Sequence, residues 1–155
     1  YTFLLPQTLT PDYVFATDNP EPGIIPTELT YKNTSTDTAN NILKYRFQHQ
    51  VKADAEITYK KLSVGISGRY YSFMQNIDKT FYDLDKPFLL PTGITQYRQV
   101  HDNGYIVFDA RISYLFGKRY NVAVIGNNLA NLEYTLRPLK IEPQRTIIFQ
   151  ISARF

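Results

Sequence analysis

Cysteine and tryptophan are absent from the 155 residues, methionine occurs once and histidine only twice. Without cysteine there is no disulfide framework, no thiol nucleophile and no thiolate zinc site, while the redox compartment stays open, because exported proteins also lack cysteine. His49 and His101 sit at no metal-ligand spacing from each other or from a carboxylate cluster, so neither marks a metal site. No run of one charge sign occurs. The 17 basic and 14 acidic residues, formal net charge +3, are scattered, which excludes a nucleic-acid-binding arm and names no partner. Gly-rich phosphate loops, calcium loops and a Ser, His and Asp set at nucleophile spacing are missing too, so no cofactor and no enzymatic chemistry is expected. There is no apolar run long enough for a membrane helix and no signal peptide. The opening "YTFLLPQ", without Met, reads as the inside of a longer polypeptide.

What the chain does have is aromatic bulk and strict alternation. Tyr (13) and Phe (10) make 15% of it, an ordered β composition. In "LKYRFQHQVKADAEITY", residues 43 to 59, the odd positions Leu43, Tyr45, Phe47, His49, Val51, Ala53, Ala55, Ile57 and Tyr59 carry no formal charge. Lys44, Arg46, Lys52, Asp54 and Glu56 all fall on even ones. At about 3.4 Å per residue such a strand extends roughly 55 to 60 Å, far beyond the usual one. A turn at Lys60 and Lys61 leads into "LSVGISGRYYS", and it places Tyr59 opposite Leu62, Ile57 opposite Val64 and Val51 opposite Tyr70. "YIVFDARISYLF", the turn "GKR" and "YNVAVIG" form a second hairpin that pairs Phe116 with Tyr120 and Tyr114 with Val122. "TIIFQISARF" supplies the last strand, and "YTFLLPQTL" the end of an earlier one.

Long loops are expected at about 11–42, 73–104 and 127–145, opposite the short turns. No helical period of 3.6 interrupts the pattern. Thirty alternate positions form the oily face of the five main strands, and none is Asp, Glu, Lys or Arg. Aromatics cluster toward the strand ends: Tyr59, Tyr114, Phe116, Tyr120 and Phe155 near the short turns, Tyr45, Phe47, Tyr70 and Phe108 farther along. The middle of the first strand holds Val51, Ala53 and Ala55. Two aromatic girdles around a small-residue band, with short turns on one side and long loops on the other, are the pattern of a transmembrane β-barrel in an outer membrane. Five or six strands are too few to close one, so the expectation is all-β, an antiparallel barrel portion whose remaining strands lie elsewhere. A soluble carbohydrate-binding β-sandwich and the barrel of an outer-membrane enzyme or secretion component remain as alternatives.

The stretch "YNVAVIGNNLANLEYTLRPLKIEPQRTIIFQISARF" resembles the C-terminus of TonB-dependent outer-membrane receptors through Asn127, Asn128, Leu129, Asn131, Tyr134, Arg137, Pro138, Pro143, Arg145, Thr146 and Phe155. That resemblance implies a 22-stranded barrel, of which this chain is the last five or six strands, with an N-terminal plug absent from the chain. It also implies energy-coupled uptake of a scarce nutrient, such as an iron chelate, a cobalamin or an oligosaccharide, across the outer membrane of a Gram-negative bacterium, with an iron chelate or other small metal complex preferred. The partners it implies are the lipid bilayer, the rest of the barrel and its plug, the TonB complex, the barrel-assembly machinery and the ligand, with room for a surface lipoprotein. Phe149, Ile151 and Phe155 would then carry the C-terminal assembly signal.

In the loop after residue 73, Phe81, Tyr82, Phe88, Tyr97 and Arg98 combine flat rings with a cation, as an aromatic anionic ligand would require, and His101 beside Asp102 joins them as a candidate. Local loop packing explains the same residues equally simply. Asp54 and Glu56, beside Lys52 and across from Arg69, read as a charge ladder on the wet face rather than as catalytic carboxylates.

Overall fold

The computed structural model describes residues 1–17 and 28–154. Two compact units form. One comprises Tyr1–Thr2, His49–Ser72 and Gly104–Phe155, the other Phe3–Gln48 and Phe73–Asn103.

The elements in chain order are β1 (Thr2–Phe3), β2 (Val14–Thr17), β3 (Glu28–Thr30), β4 (His49–Tyr59), β5 (Leu62–Tyr71), α1 (Thr80–Leu84), α2 (Ile94–Val100), β6 (Tyr105–Phe116), β7 (Tyr120–Asn127), β8 (Thr135–Arg137), β9 (Lys140–Ile141) and β10 (Thr146–Ala153). The main sheet runs β1-β4-β5-β6-β7-β10, and β4, β5, β6, β7 and β10 pair antiparallel in that order. It is an open sheet, since no pairing joins β10 to β1 among the described residues. The chain is therefore all-β in its framework.

Register follows the alternation. Tyr59 pairs with Leu62, Ile57 with Val64 and Val51 with Tyr70, and Phe116 pairs with Tyr120 and Tyr114 with Val122, all as the matching of faces requires. Lys60 takes a positive φ of 55° in its turn, as the tight turns of right-twisted hairpins demand. Rows of oily residues consequently cross the whole sheet: Ile57, Val64, Ile112, Val124 and Phe149 lie side by side on five successive strands.

On the central strands β5, β6 and β7 the wet side is the more buried of the two, whereas β10 is exposed on both faces. On the oily side Ile57, Phe149 and Ile151 are 75%, 78% and 76% exposed, whereas on the wet side Val107 and Ala123 are 1% exposed. The segment after β7 returns to the sheet, where Tyr105 Oη donates to the Thr135 carbonyl (3.0 Å) and Asn128 N–H to Asp109 Oδ1 (2.8 Å). Asn128, at φ 49°, donates from Nδ2 to the carbonyls of Leu132 (2.8 Å) and Pro143 (3.3 Å), and its Oδ1 accepts from Leu132 N–H (2.9 Å). This ties the segment into a knot that holds Tyr134 against Tyr105, which in turn lies against Tyr71.

Three expectations are corrected. The first long strand begins at His49 rather than at residue 43. Tyr45 sits at φ 62°, which breaks extension, because its N–H is taken by the Asn76 carbonyl and its hydroxyl by Asp78. Tyr45 and Phe47 pack against Met74, Ile77 and Ile94, so they leave the oily face and the second aromatic girdle. The segment 73–104 is not plain loop, for it contains α1 and α2, of five and seven residues. Elements that short leave no hydrophobic period to read. The segment 127–145 likewise carries the small β8–β9 hairpin, with Leu139 at φ 60° in its turn. Phe155 lies outside the described residues.

Candidate functional site

Two of the three expected long loops build the second unit, and a buried asparagine joins them. Asn76 is fully buried; its Oδ1 accepts from Thr36 N–H, Thr36 Oγ1 and Asp37 N–H (each 3.1 Å), and its Nδ2 donates to the Ile42 carbonyl (2.6 Å). One side chain thus replaces the backbone partners that irregular segments lack. Lys44 reinforces the joint through Asp78 Oδ1 (2.6 Å) and Thr34 Oγ1 (2.9 Å). Tyr31 donates to the Ile42 carbonyl (3.1 Å) and accepts from Lys44 N–H, and burial pushes its hydroxyl above the usual tyrosine range despite that contact with Lys44.

This joint leaves an open cleft of about 760 Å³, lined from one loop by residues such as Asn33 and Thr38 and from the other by Phe73, Tyr82, Arg98 and Gln99. Arg98 is the organiser. Its Nε donates to Tyr82 Oη (2.8 Å), its Nη2 to the Met74 (2.7 Å) and Gln75 (3.3 Å) carbonyls, and its guanidinium lies 4.5 Å from the Phe73 ring centre.

Of the residues singled out in the sequence, Tyr82 and Arg98 meet at the cleft. Phe81 turns to the Met74, Ile77 and Ile94 cluster. Tyr97 and His101 stack on each other at 4.2 Å, with His101 Nδ1 3.0 Å from the Tyr97 carbonyl, and neither lines the cleft. Phe88 is 99% exposed at the tip between the helices. Asn33, Thr38, Gln75, Lys79 and Gln99 escaped sequence reading, since their segments lie far apart in the chain and meet only through tertiary contacts such as those of Asn76 and Lys44.

The tip owes its shape to Asp85, which caps the start of α2: Oδ1 accepts from Gly93 N–H (2.8 Å) and Thr92 Oγ1 (3.1 Å), Oδ2 from Thr95 N–H (2.9 Å). The Thr95 hydroxyl and N–H, then Gly93 N–H and the Thr92 hydroxyl, hold its carboxyl well below the usual range against a smaller opposing effect of desolvation. A depressed carboxyl contributes stability above its unfolded pKa, about 3.9, and loses it as pH falls through the folded value. Hydrogen exchange should therefore show Gly93 and Thr95 amides protected at neutral pH and progressively unprotected below about pH 4. In Asp85→Ala they should be unprotected at every pH.

On the wet face of the sheet, Arg69 Nη2 meets Asp109 Oδ2 at 2.6 Å, and Asp109 Oδ1 accepts from Asn128 N–H (2.8 Å). Lys52 and Asp54 form a further pair at 3.2 Å, and Asp54 accepts from Ser67 Oγ (2.5 Å). Burial pushes the Tyr134 hydroxyl up, against the lowering effect of Arg69. The ion pairs brace the wet face as a ladder does, although the buried Arg69 Nε finds no hydrogen-bond partner among the described residues, and no group of three or more His, Cys, Asp or Glu residues able to hold a metal occurs among the described residues.

No protein-family model matches this chain, and neither a curated protein sequence nor a solved structure shows significant similarity to it.

Proposed function

We propose that the chain is the C-terminal portion of the transmembrane barrel of a TonB-dependent outer-membrane transporter, serving energy-coupled uptake of a scarce nutrient. The exposed oily face carries the reading. A charge-free surface five strands wide, left open while the opposite polar face buries Val107 and Ala123, fits a sheet whose outer solvent is lipid and whose inner side is lumen. Strands β4, β5 and β6, of 11, 10 and 12 residues, have the length that a tilted strand needs to cross a bilayer, about 9 to 11 residues. The open edges at β1 and β10 fit a sheet continued by further strands of the same barrel. In this reading Phe149, Ile151 and Phe155 serve recognition by the barrel-assembly machinery, and the plug and TonB contact belong to residues beyond this chain.

The test is a pair of neighbouring lysines on β6. Ile112→Lys puts a charge in the middle of the oily face and should cost about 2 to 4 kcal/mol of folding stability in a bilayer. Ser113→Lys, one residue on and facing the other way, should be nearly neutral. Urea titrations of protein folded into phospholipid vesicles read both. An Ile112→Lys protein as stable as Ser113→Lys, and extracted from membranes without detergent, would sink the barrel reading.

A further inference from the structure

We infer that the cleft beside Arg98 receives an uncharged, polyhydroxylated ligand, a short neutral oligosaccharide, in preference to an anionic metal chelate. Its volume of about 760 Å³ lies inside the ~300–1,000 Å³ range of small-ligand sites. Charge is balanced there, with Lys79 and Arg98 set against Asp83 and Asp102. Arg98 is already committed to Tyr82 and to two backbone carbonyls. An anionic chelate would thus meet two carboxylates and a single uncommitted cation, an arrangement that selects against it.

The uncommitted groups suit a polyol. Asn33, Ser35 and Thr36 are occupied by intramolecular hydrogen bonds, whereas the side chains of Thr38, Gln75 and Gln99 make none among the described residues. A hydroxyl and two primary amides offer donors and acceptors at once, which matches sugar hydroxyls, themselves both donor and acceptor. The rings of Phe73 and Tyr82 supply apolar surface of the kind on which the C–H face of a pyranose packs. Because Arg98 pins Tyr82 and Phe73 before any ligand arrives, little ordering cost remains for binding.

The inference adds a ligand class to the proposed transporter and depends on that reading only for its physiological meaning. Its test is isothermal titration of the detergent-purified protein with neutral di- to tetrasaccharides from a glycan-array screen, and with ferric citrate as the anionic probe. At least one neutral oligosaccharide should bind, ferric citrate should not, and the double variant Gln75→Ala/Gln99→Ala should weaken the sugar at least tenfold with an unchanged circular dichroism spectrum. Binding of ferric citrate alone, binding of neither, or sugar binding indifferent to the double variant would each overturn it. A protein that binds sugar yet tolerates Ile112→Lys keeps this inference and loses the transporter; the reverse pair of results does the opposite.

Discussion

Asn76→Ala should be among the most damaging substitutions in the second unit, lowering its stability by about 3 to 5 kcal/mol. The alanine removes the acceptor shared by Thr36 N–H, Thr36 Oγ1 and Asp37 N–H, and the donor to the Ile42 carbonyl. Some of those groups have second partners: Thr36 N–H also reaches the Ile77 carbonyl (3.1 Å), and the Ile42 carbonyl also accepts from Tyr31. Asp37 N–H has no such substitute among the described residues, and this part-buried amide left without a partner costs toward the low end of about 1 to 3 kcal/mol. The cavity left at a fully buried site adds to this. Hydrogen exchange should show residues 34–45 and 74–79 losing protection together, while amides of β5 and β6 keep theirs. Asn76→Asp is the informative control. It retains an acceptor but loses the donor and buries a charge, so it should rescue little; a variant as protected as the wild type would show that the loops are held by their apolar cluster alone.

The contrast between strands and loops explains what was legible in the sequence. Alternation with period two fixes both the pairing partner and the face of every residue once a turn is located, and the turns at Lys60–Lys61 and Gly117–Arg119 were readable from short polar breaks. The same rule misled at residues 43–48, where Tyr45 and Phe47 continue the alternation although the strand has not begun. There the apolar partners are Met74, Ile77 and Ile94, more than twenty-five residues away in sequence, and no periodicity announces a contact of that kind. Arg98 and Tyr82 were legible as chemistry, an arginine among aromatics, but Arg98's role as organiser depends on the carbonyls of Met74 and Gln75 turning toward it. Asn128 and Asn131 stood out through resemblance alone. The physical reason is backbone geometry: both adopt left-handed φ values, 49° and 52°, which asparagine tolerates better than most residues, and the Asn131 side chain accepts from Arg145 N–H (2.9 Å).

Gly104→Ala should be the corresponding lesion in the sheet unit, costing about 3 kcal/mol or more. Gly104 sits at φ 77° at the entrance to β6, and a Cβ built there would lie 2.5 Å from the Tyr71 carbonyl oxygen and 3.0 Å from Ser72 Cα. Both obstacles are backbone, so no rotamer change relieves them, and the strands must separate where β5 ends and β6 begins. Conformational strain and collision can be divided experimentally, because Gly117 shares the left-handed region at φ 60° but has nothing within 4 Å of its would-be Cβ. Gly117→Ala should therefore cost only the strain, about 1 to 2 kcal/mol, and the difference between the two variants measures the collision. Urea midpoints of the protein folded in micelles give both values. The prediction fails if Gly104→Ala and Gly117→Ala shift the midpoint equally, since the close approach of Gly104 to the end of β5 would then carry no energetic weight.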